Sequence, residues 1–506
     1  MSIDAALLIA RSGLLQTQRA LSNAADNVAN AETEGYTRKR LPGQAVSANG
    51  QGMGVRSLGP LRDVDNALIN EIQKRRSEAS AAALRESVLA RINAAHGDPA
   101  KGEGLADLVS KLRVGFVELR LDPSQVVKQQ ALALNSATTV ARRFNDLARV
   151  VGEARQTTHD EIVRGIAQVN ETLREVARLT RVIKERTGSE TPTADVEDQR
   201  DLALAQLSDL IGFKAVRQGN GGLLLLAGNG LTVPLFETGD TFAVAGATIS
   251  PASFYGSGGT IPPITLDGTD VTPLVAGGRL GEALTLRDQT LPRYQAELDI
   301  AATELADRFR AEGLRLFTDA AGSVPNPEDP YPGSAQIGFA NIIQVSKAVL
   351  ADVRLLRDGT ETIAGPPAFT PNPVGGPAGF TTLIDRILDH SFGATNSAGQ
   401  DWGGFKTIGI GPDGKLSSPF GSPKTIEDYS TLVTASQTGD SAAASAALAT
   451  AKQFSQGLEV RFTRESRVDV DSEMASLITL QNTYAANARV LSTAQSMWDA
   501  LLGSVR

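Results

Sequence analysis

The chain has 506 residues, of which 41% are hydrophobic, 21% charged and 5% aromatic. At about 150 residues per domain, this length predicts three or four domains. A formal net charge of −8 argues against a general nucleic-acid binder, because such proteins present a basic face. With no cysteine, the chain cannot form disulfides, Cys-ligated metal sites or a thiolate nucleophile.

The first residues do not have the pattern of a secretory signal peptide. The sequence MSIDAALLIA has no basic segment at its start, and Arg11 interrupts the apolar stretch that follows. The strongest apolar run, residues 223–226, is far too short to span a bilayer. We therefore expect a protein that either stays in the cytoplasm or leaves it by a route that recognises another signal.

Both ends of the chain are predicted to be helical and to carry a heptad-like seam. In residues 4–31 and 471–502, apolar or small side chains recur at spacings of three and four, which is the a/d pattern of a coiled coil. Because Ala, Thr or Gln interrupts each seam, neither helix is expected to hold a tight pair alone. Each helix could simply cover its own domain, but weak seams at both chain ends favour helices that become ordered on assembly.

Between the ends, the pattern predicts helices, then strands, then helices again. Helical spacing covers residues 64–95, 105–119, 126–184 and 194–211. Short apolar runs punctuated by Gly and Pro predict strands within residues 213–281. A further helix over residues 282–311 contains Pro292, which is expected to kink it. The predicted fold class is therefore mainly α with β-rich insertions in a multidomain chain.

We predict four domains, two of which are discontinuous in sequence. They are a terminal helical domain (1–36 and 471–506), a helical body (37–212, 282–317 and 425–470), a β-rich insert (213–281) and a Pro/Gly-rich mixed insert (318–424). In this arrangement the inserts project from the helical body, and the nesting of the chain brings the two terminal helices together.

No motif in the sequence supports catalysis or cofactor binding. Residues 409–414 match G-x-G-x-x-G, but their Pro-Asp-Gly centre predicts a turn rather than the start of a phosphate-binding helix. His96, His159 and His390 lack the spacing of a metal site, and no pair of carboxylates stands out among 57 acidic residues. We therefore predict a protein that is not an enzyme and has no catalytic, cofactor or metal site.

Two other runs stand out. Residues 27–38 close the first helix, with Asn30 in its last turn and Gly35 as a stop that accepts a positive φ. Residues 195–201, with the sequence DVEDQRD, open a later helix, where acidic side chains suit the positive end of the helix dipole. For this second run, helix capping is at least as well supported as a binding role.

Both runs belong to segments that resemble the hook-associated protein 1 family of the bacterial flagellum. Residues 12–40 and 468–502 resemble the terminal signatures shared by rod, hook and hook-associated proteins. Three internal segments resemble the family's D-x-x-D-Q-R-D helix, the strand pair after it and the next helix; they are residues 195–213, 219–235 and 278–313. Glu34 stands where relatives often have Pro, and Asp26 stands where Asn is common.

The resemblance implies a structural component of the flagellum that forms the junction between hook and filament. It implies export through the flagellar type III channel and an extracellular location. Copies would form a ring, with the terminal helices packed as an inner coiled-coil domain, a helical body around it and outer β and mixed domains. The seam residues then become candidates for the inner contacts: Leu7, Leu14, Leu21, Val28, Leu477, Tyr484, Leu491 and Trp498.

The implied partners are other copies of the chain, the hook protein, the second junction protein toward the filament, and a cytosolic export chaperone that binds near the C-terminus. No nucleic acid, membrane or cofactor is implied. One alternative is another axial protein (hook, distal rod or third hook-associated protein), although rod and third junction proteins are usually much shorter. A second is a flagellum-associated cell-wall hydrolase, which would need a positioned carboxylate. A third is a soluble coiled-coil adaptor that stays in the cell.

Overall fold

The structure, a computed structural model, describes residues 3–48 and 51–504. Residues 1, 2, 505 and 506 of the predicted terminal domain lie outside the described residues, as do residues 49 and 50 of the predicted helical body. The predicted fold class is confirmed: the chain is mainly helical, with long helices at both ends and small antiparallel sheets.

The helices are much longer than the strands. In chain order the helices are α1 (Ile3–Ala29), α2 (Asn66–Ala95), α3 (Leu105–Leu121), α4 (Ala131–Gly188), α5 (Ala194–Leu210), α6 (Gly278–Thr285), α7 (Leu291–Ala311), α8 (Phe339–Ile342), α9 (Lys347–Ala351), α10 (Leu355–Asp358), α11 (Thr382–Arg386), α12 (Ile426–Ser466) and α13 (Val470–Ser504). The strands are β1 (Lys39–Arg40), β2 (Gly43–Ala48), β3 (Gln51–Ser57), β4 (Leu61–Arg62), β5 (Phe213–Arg217), β6 (Leu223–Ala227), β7 (Thr232–Val233), β8 (Thr265–Leu266), β9 (Thr269–Asp270), β10 (Phe317–Thr318), β11 (Gln344–Val345), β12 (Ile408–Ile410) and β13 (Leu416–Ser417). Strands β5, β6 and β7 form a three-stranded antiparallel sheet.

Helix α4 runs through two hydrophobic cores. Its first half packs with α3, α7 and the mixed segment that follows α7, and it buries Val140 and Phe144 completely. Its second half packs with α5, α6 and the β5–β7 sheet, and it buries Leu173 completely. Gly165 permits close contact with α6, because a Cβ at this position would lie 2.5 Å from Leu280 Cδ2. One helix therefore supports both cores.

A buried polar layer lies where the two cores meet. Arg155 of α4 is 2% exposed, and its guanidinium donates to the carbonyls of Ser250, Ser253 and Arg287. Burial lowers the pKa of Arg155 to about 10. In the same layer, Nδ1 of the buried His159 lies 3.4 Å from Nη1 of Arg287. These contacts hold the loop between β7 and β8 against α4.

The kink expected at Pro292 takes the form of one wide helical turn. Residues Leu286–Thr290 form a π-helical turn between α6 and α7, and Pro292 lies in the first turn of α7. Proline has no N–H to donate, and its ring would clash with the carbonyl four residues earlier in a regular α-helix. The wider turn accommodates both constraints without ending the helix.

The sequence pattern did not predict the hairpin β2–β3, which follows α1. Its strands are rich in Gly, Ser, Gln and Ala and lack a clear alternation of apolar and polar residues. Contact with α1 supplies the missing support, since Val55 N donates to Ser12 Oγ at 3.1 Å. Gly54, with a φ of 110°, leaves room for the Ser12 side chain.

Two further pairs of long helices pack against each other in antiparallel orientation: α1 packs along α13, and α2 packs along α12. The chain ends therefore lie together, as the nested order predicted. The four-domain division stays a prediction. Side-chain packing joins much of residues 318–424 to the first core, and much of residues 213–281 to the second core, together with helices of the predicted body.

Candidate assembly surface on the terminal helices

Helices α1 and α13, called here the terminal pair, meet through small side chains. On α1, Ala10, Thr17 and Ala24 are spaced by seven residues, and each is at most 5% exposed. Gly13 lies opposite Asn487, whose amide nitrogen is 3.2 Å from the position that a Cβ on Gly13 would take. Small residues at this spacing let the two helices approach closely.

The large seam residues predicted as inner contacts are less buried than these small residues. Tyr484 is 42% exposed. The other seven are half-buried: Leu7, Leu14, Leu21, Val28, Leu477, Leu491 and Trp498. The structure thus brings both seam-bearing helices into one pair, while contacts of these residues with other copies stay a prediction. The small buried residues belong to the alternate positions of the same heptad pattern.

Large apolar side chains remain exposed on both terminal helices. On α1, Leu8 and Leu15 are 51% and 48% exposed. On α13, among the residues whose burial is described, seven such side chains are at least 42% exposed: Val470, Met474, Ile478, Tyr484, Val490, Met497 and Leu502. The three-and-four spacing did not identify several of these residues as contacts, because they lie on other faces of the helices. A helix that is apolar on several faces is typical of one surrounded by packing partners.

Helix α1 is contacted on two of its faces. One face lies against α13, and a second lies against the hairpin and β1, where Gln16 Nε2 donates to Leu41 O at 3.5 Å and Asn23 Nδ2 donates to Lys39 O at 2.7 Å. Helical spacing places Leu8 and Leu15 on a third face. That third face is the open side of the terminal pair.

The two runs noted in the sequence meet at the base of the terminal pair. Residues 30–40, called here the connector, lead from α1 into β1. Thr37 Oγ1 donates to Asp198 Oδ1 at 2.6 Å, and Thr37 N donates to Asp198 Oδ2 at 3.3 Å. Arg62 Nε lies 2.8 Å from Asp198 Oδ1, and Lys39 Nζ lies 3.5 Å from Asp198 Oδ2. Asp198 therefore binds groups within the chain and is not confined to a capping role.

A second carboxylate completes this group, which we call the Asp198 cluster (Thr37, Lys39, Arg62, Asp198, Asp201 and Arg217). Asp201 lies 2.7 Å from Arg62 Nη2 and 2.7 Å from Arg217 Nη2. Burial by itself lowers the pKa of Arg62, but attraction to Asp201 and Asp198 outweighs it and the pKa is raised. Burial raises the pKa of Asp198, although Arg62 and Thr37 oppose that shift.

The connector also reaches the start of α13. Arg38 Nε lies 2.7 Å from Oε1 of Glu473, which is 4% exposed. Arg38 N donates to Ser466 O at 2.8 Å, at the end of α12. Three consecutive residues of the connector thus contact other helices: Thr37 and Lys39 contact α5, and Arg38 contacts α12 and α13. Sequence reasoning did not connect these groups, since Thr37 and Asp198 are 161 residues apart.

Each of the three histidines has a polar neighbour within the chain. His96 Nε2 lies 2.9 Å from Gln437 Oε1, and His390 Nδ1 lies 3.1 Å from Thr395 O. Burial lowers the pKa of both His96 and His159. Across residues 3–48 and 51–504, no group of three or more His, Asp or Glu side chains is placed to hold a metal ion, and no helix is long and apolar enough to cross a membrane.

Family models match three parts of the chain. Residues 7–37 match the model described as flagella basal body rod protein, and residues 461–503 match the flagellar basal body rod FlgEFG protein C-terminal model. Residues 89–312 match the flagellar hook-associated protein FlgK helical domain. The terminal pair therefore has the signatures of a flagellar axial protein.

Full-length relatives narrow this class. Flagellar hook-associated protein 1 of Salmonella typhimurium is 23% identical, and the match covers 97% of this chain and 98% of the relative. Those of Escherichia coli K12 and Bacillus subtilis are 24% and 22% identical, covering 97% and 98% of this chain and 98% and 97% of the relative. A solved structure of the flagellar hook junction protein FlgK from Burkholderia pseudomallei is similar over 51% of this chain and 46% of that chain, with 23% identity and a TM-score of 0.40. Over nearly its whole length the chain is therefore similar to flagellar hook-associated protein 1, and its residues 89–312 match the FlgK helical domain.

Proposed function

We propose that this chain is a structural subunit of the bacterial flagellum, located at the junction between hook and filament, and that it acts by packing against neighbouring subunits. The observation that carries the proposal is the exposed apolar surface of α13, a helix with four charged residues among 35. Covering Ile478, Val490 and Met497 with a neighbour would contribute about 25 cal/mol for each Å² of apolar surface removed from water.

We infer the partners from this position in the flagellum. They are other copies of the chain in a ring, the hook protein on one side and the second junction protein toward the filament. The seam residues and the open face of α1 would contact neighbouring copies. Before export through the type III channel, a cytosolic chaperone near the C-terminus would cover the apolar surface of α13, because such a surface otherwise promotes aggregation. The working location is then extracellular.

The proposed role is structural rather than enzymatic. The relatives carry the names of flagellar structural components, and packing against neighbours requires no reactive group. A hook, distal rod or third hook-associated protein is a weaker candidate, because residues 89–312 match a helical-domain model described for hook-associated protein FlgK.

A deletion strain tests the position in the flagellum. Cells that lack the chain should keep their hooks but release filament subunit into the medium, because the filament has no surface on which to grow. The released subunit can be measured in the culture supernatant and the hooks counted by electron microscopy. Complementation with the intact chain should restore filaments. Filaments of normal length on the deletion strain would overturn the proposal.

Substitutions in the seams test the packing surface. Leu14→Asp and Leu491→Asp should leave the melting curve of the monomer unchanged, since both residues lie outside the two cores. Each should abolish incorporation into flagella, because a carboxylate would be buried between packed helices. Val374→Asp is a matched control at a fully exposed position in the mixed segment, and it should incorporate normally. Loss of the monomer fold in the seam variants would assign the seams to the chain's own core.

A further inference from the structure

We propose that Asp198 and Asp201 are positioning residues that fix the direction of the terminal pair relative to the helical body. Their importance for assembly rests on the proposed function, but the direction itself is a property of the single chain. The sequence run that contains them was open to a capping interpretation, and the structure gives each carboxylate a cationic partner outside its own helix.

The place where the terminal pair joins the body is narrow. Helix α1 packs with α13 and the hairpin, and the body is reached through the connector and through the short link between α12 and α13. Two clefts, of about 440 and 330 Å³, border the Asp198 cluster, and Asp198 lines both of them. Because clefts open on two sides of this joint, apolar packing alone does not fix the orientation of the terminal pair. We assign that role to the polar contacts of the Asp198 cluster.

The cluster has the geometry of a rigid joint. Arg62 lies on β4, which pairs with β1, so its register partner is Lys39. From this strand, the Arg62 guanidinium lies closest to two carboxylates that are one turn apart on α5, Asp198 and Asp201, and its side chain is 5% exposed. A third carboxylate, that of Glu197, lies 3.6 Å from Arg62 Nη1. A planar guanidinium held by two acceptors resists rotation more than a single contact does. Loss of one buried partner also leaves an uncompensated charge.

The same run provides a matched control. Asp195 lies one turn before Asp198 on α5, is 56% exposed in its side chain and pairs with Arg186 at the end of α4. Glu197 is not a suitable control, because it accepts from Thr193 Oγ1 at 2.7 Å but also lies 3.6 Å from Arg62 Nη1. Asp195→Asn therefore removes one acid from the first turn without touching the connector.

Spin labels can measure the direction, because a chain without cysteine can be labelled at chosen positions. Thr479→Cys on α13 and Gln168→Cys on α4 are both exposed sites, one on each side of the joint. Electron–electron double resonance on the otherwise intact monomer should give a narrow distance distribution. Asp198→Asn and Asp201→Asn should broaden it about twofold or more, and Asp195→Asn should leave it unchanged.

Two outcomes would overturn the proposal: an unchanged distribution in both cluster variants, or a broad distribution before any substitution. If a cluster variant fails to melt cooperatively, Thr37→Val replaces it, since this change removes a hydroxyl contact to Asp198 and keeps every charge. Thr37→Val should broaden the distribution less than Asp198→Asn, and no broadening would again contradict the proposal. The flagellar function is tested separately, by filament growth in the deletion strain.

Discussion

Helices α4 and α13 are both long, but they sort their side chains in opposite ways. In α4, 17 of 58 residues are charged, and the apolar side chains face inward, with Phe144 and Leu173 completely buried. In α13, four of 35 residues are charged, and seven large apolar side chains are at least 42% exposed. The first pattern describes a helix whose partners lie within its own chain. The second describes a helix that packs along α1 but whose remaining apolar faces can be covered only by other chains.

The difference shows that the apolar composition of a helix does not by itself determine how deeply its side chains are buried in the single chain. Leu173 and Leu491 each belong to the apolar repeat of their own helix. Leu173 is nevertheless buried in the second core, whereas Leu491 is half-buried beside α1. A long exposed apolar surface is unusual for a free monomer. The contrast can be sharpened by substitutions that act on one helix and leave the other alone.

The largest effect is expected from truncating a buried side chain of α4. Leu173→Ala should lower the free energy of unfolding by about 3 kcal/mol, because it removes transfer energy and leaves a cavity in the second core. Leu491→Ala is the matched control on α13, and it should cost less than about 1 kcal/mol because this side chain is only half-buried and lies outside both cores. Chemical denaturation followed by circular dichroism measures both values. Equal losses would contradict the contrast between the helices.

Much of the helical framework could be predicted because it depends on local periodicity. The helix expected over residues 64–95 is found at Asn66–Ala95, and the helix expected over residues 194–211 is found at Ala194–Leu210. The turn predicted at Pro412-Asp413-Gly414 is also found, since these residues lie between β12 and β13. These features follow from neighbours in sequence, so a single chain contains the signal.

The hairpin and the Asp198 cluster depend on distant partners, and this is why the sequence did not reveal them. The hairpin β2–β3 has no apolar alternation and is supported by α1. Opposite charges in the connector and in the DVEDQRD run were visible, but 49 basic and 57 acidic residues allow too many pairings. Likewise, Ala10 and Ala24 are buried because of where α13 lies, which their size alone could not indicate.

A smaller effect is expected from pH, and it belongs to the body rather than to the terminal pair. Glu297 of α7 is completely buried and accepts from Gln437 Nε2 of α12 at 3.0 Å. Burial raises its pKa from 4.5 to about 7, although Arg293 and Gln437 oppose the shift. The folded state therefore holds this proton more tightly than the unfolded state. The stabilisation is complete below about pH 4.5 and is lost as the pH rises through about 7.

Glu297→Gln removes this titration and isolates it from other groups. His96, whose pKa is lowered by burial, destabilises the fold in the opposite direction as the pH falls below 6.5, but it is present in both proteins. The melting temperature of Glu297→Gln relative to the unsubstituted chain should rise between pH 5 and pH 8, by a few degrees. Calorimetry at several pH values measures the difference. A constant difference would show that Glu297 is ionised throughout this range.

The smallest effect on the monomer is expected from charging the exposed face of α13. Met497→Lys should change the free energy of unfolding by no more than about 0.5 kcal/mol, because a side chain that is 55% exposed has little packing to lose. The same change should reduce incorporation into flagella, where a neighbour would bury the ammonium group without a partner. Thr479→Lys, at an exposed polar position of the same helix, is the comparison. If Met497→Lys lowers the stability of the monomer by several kcal/mol, this exposed face of α13 is already covered within the single chain, and the contrast between α13 and α4 fails.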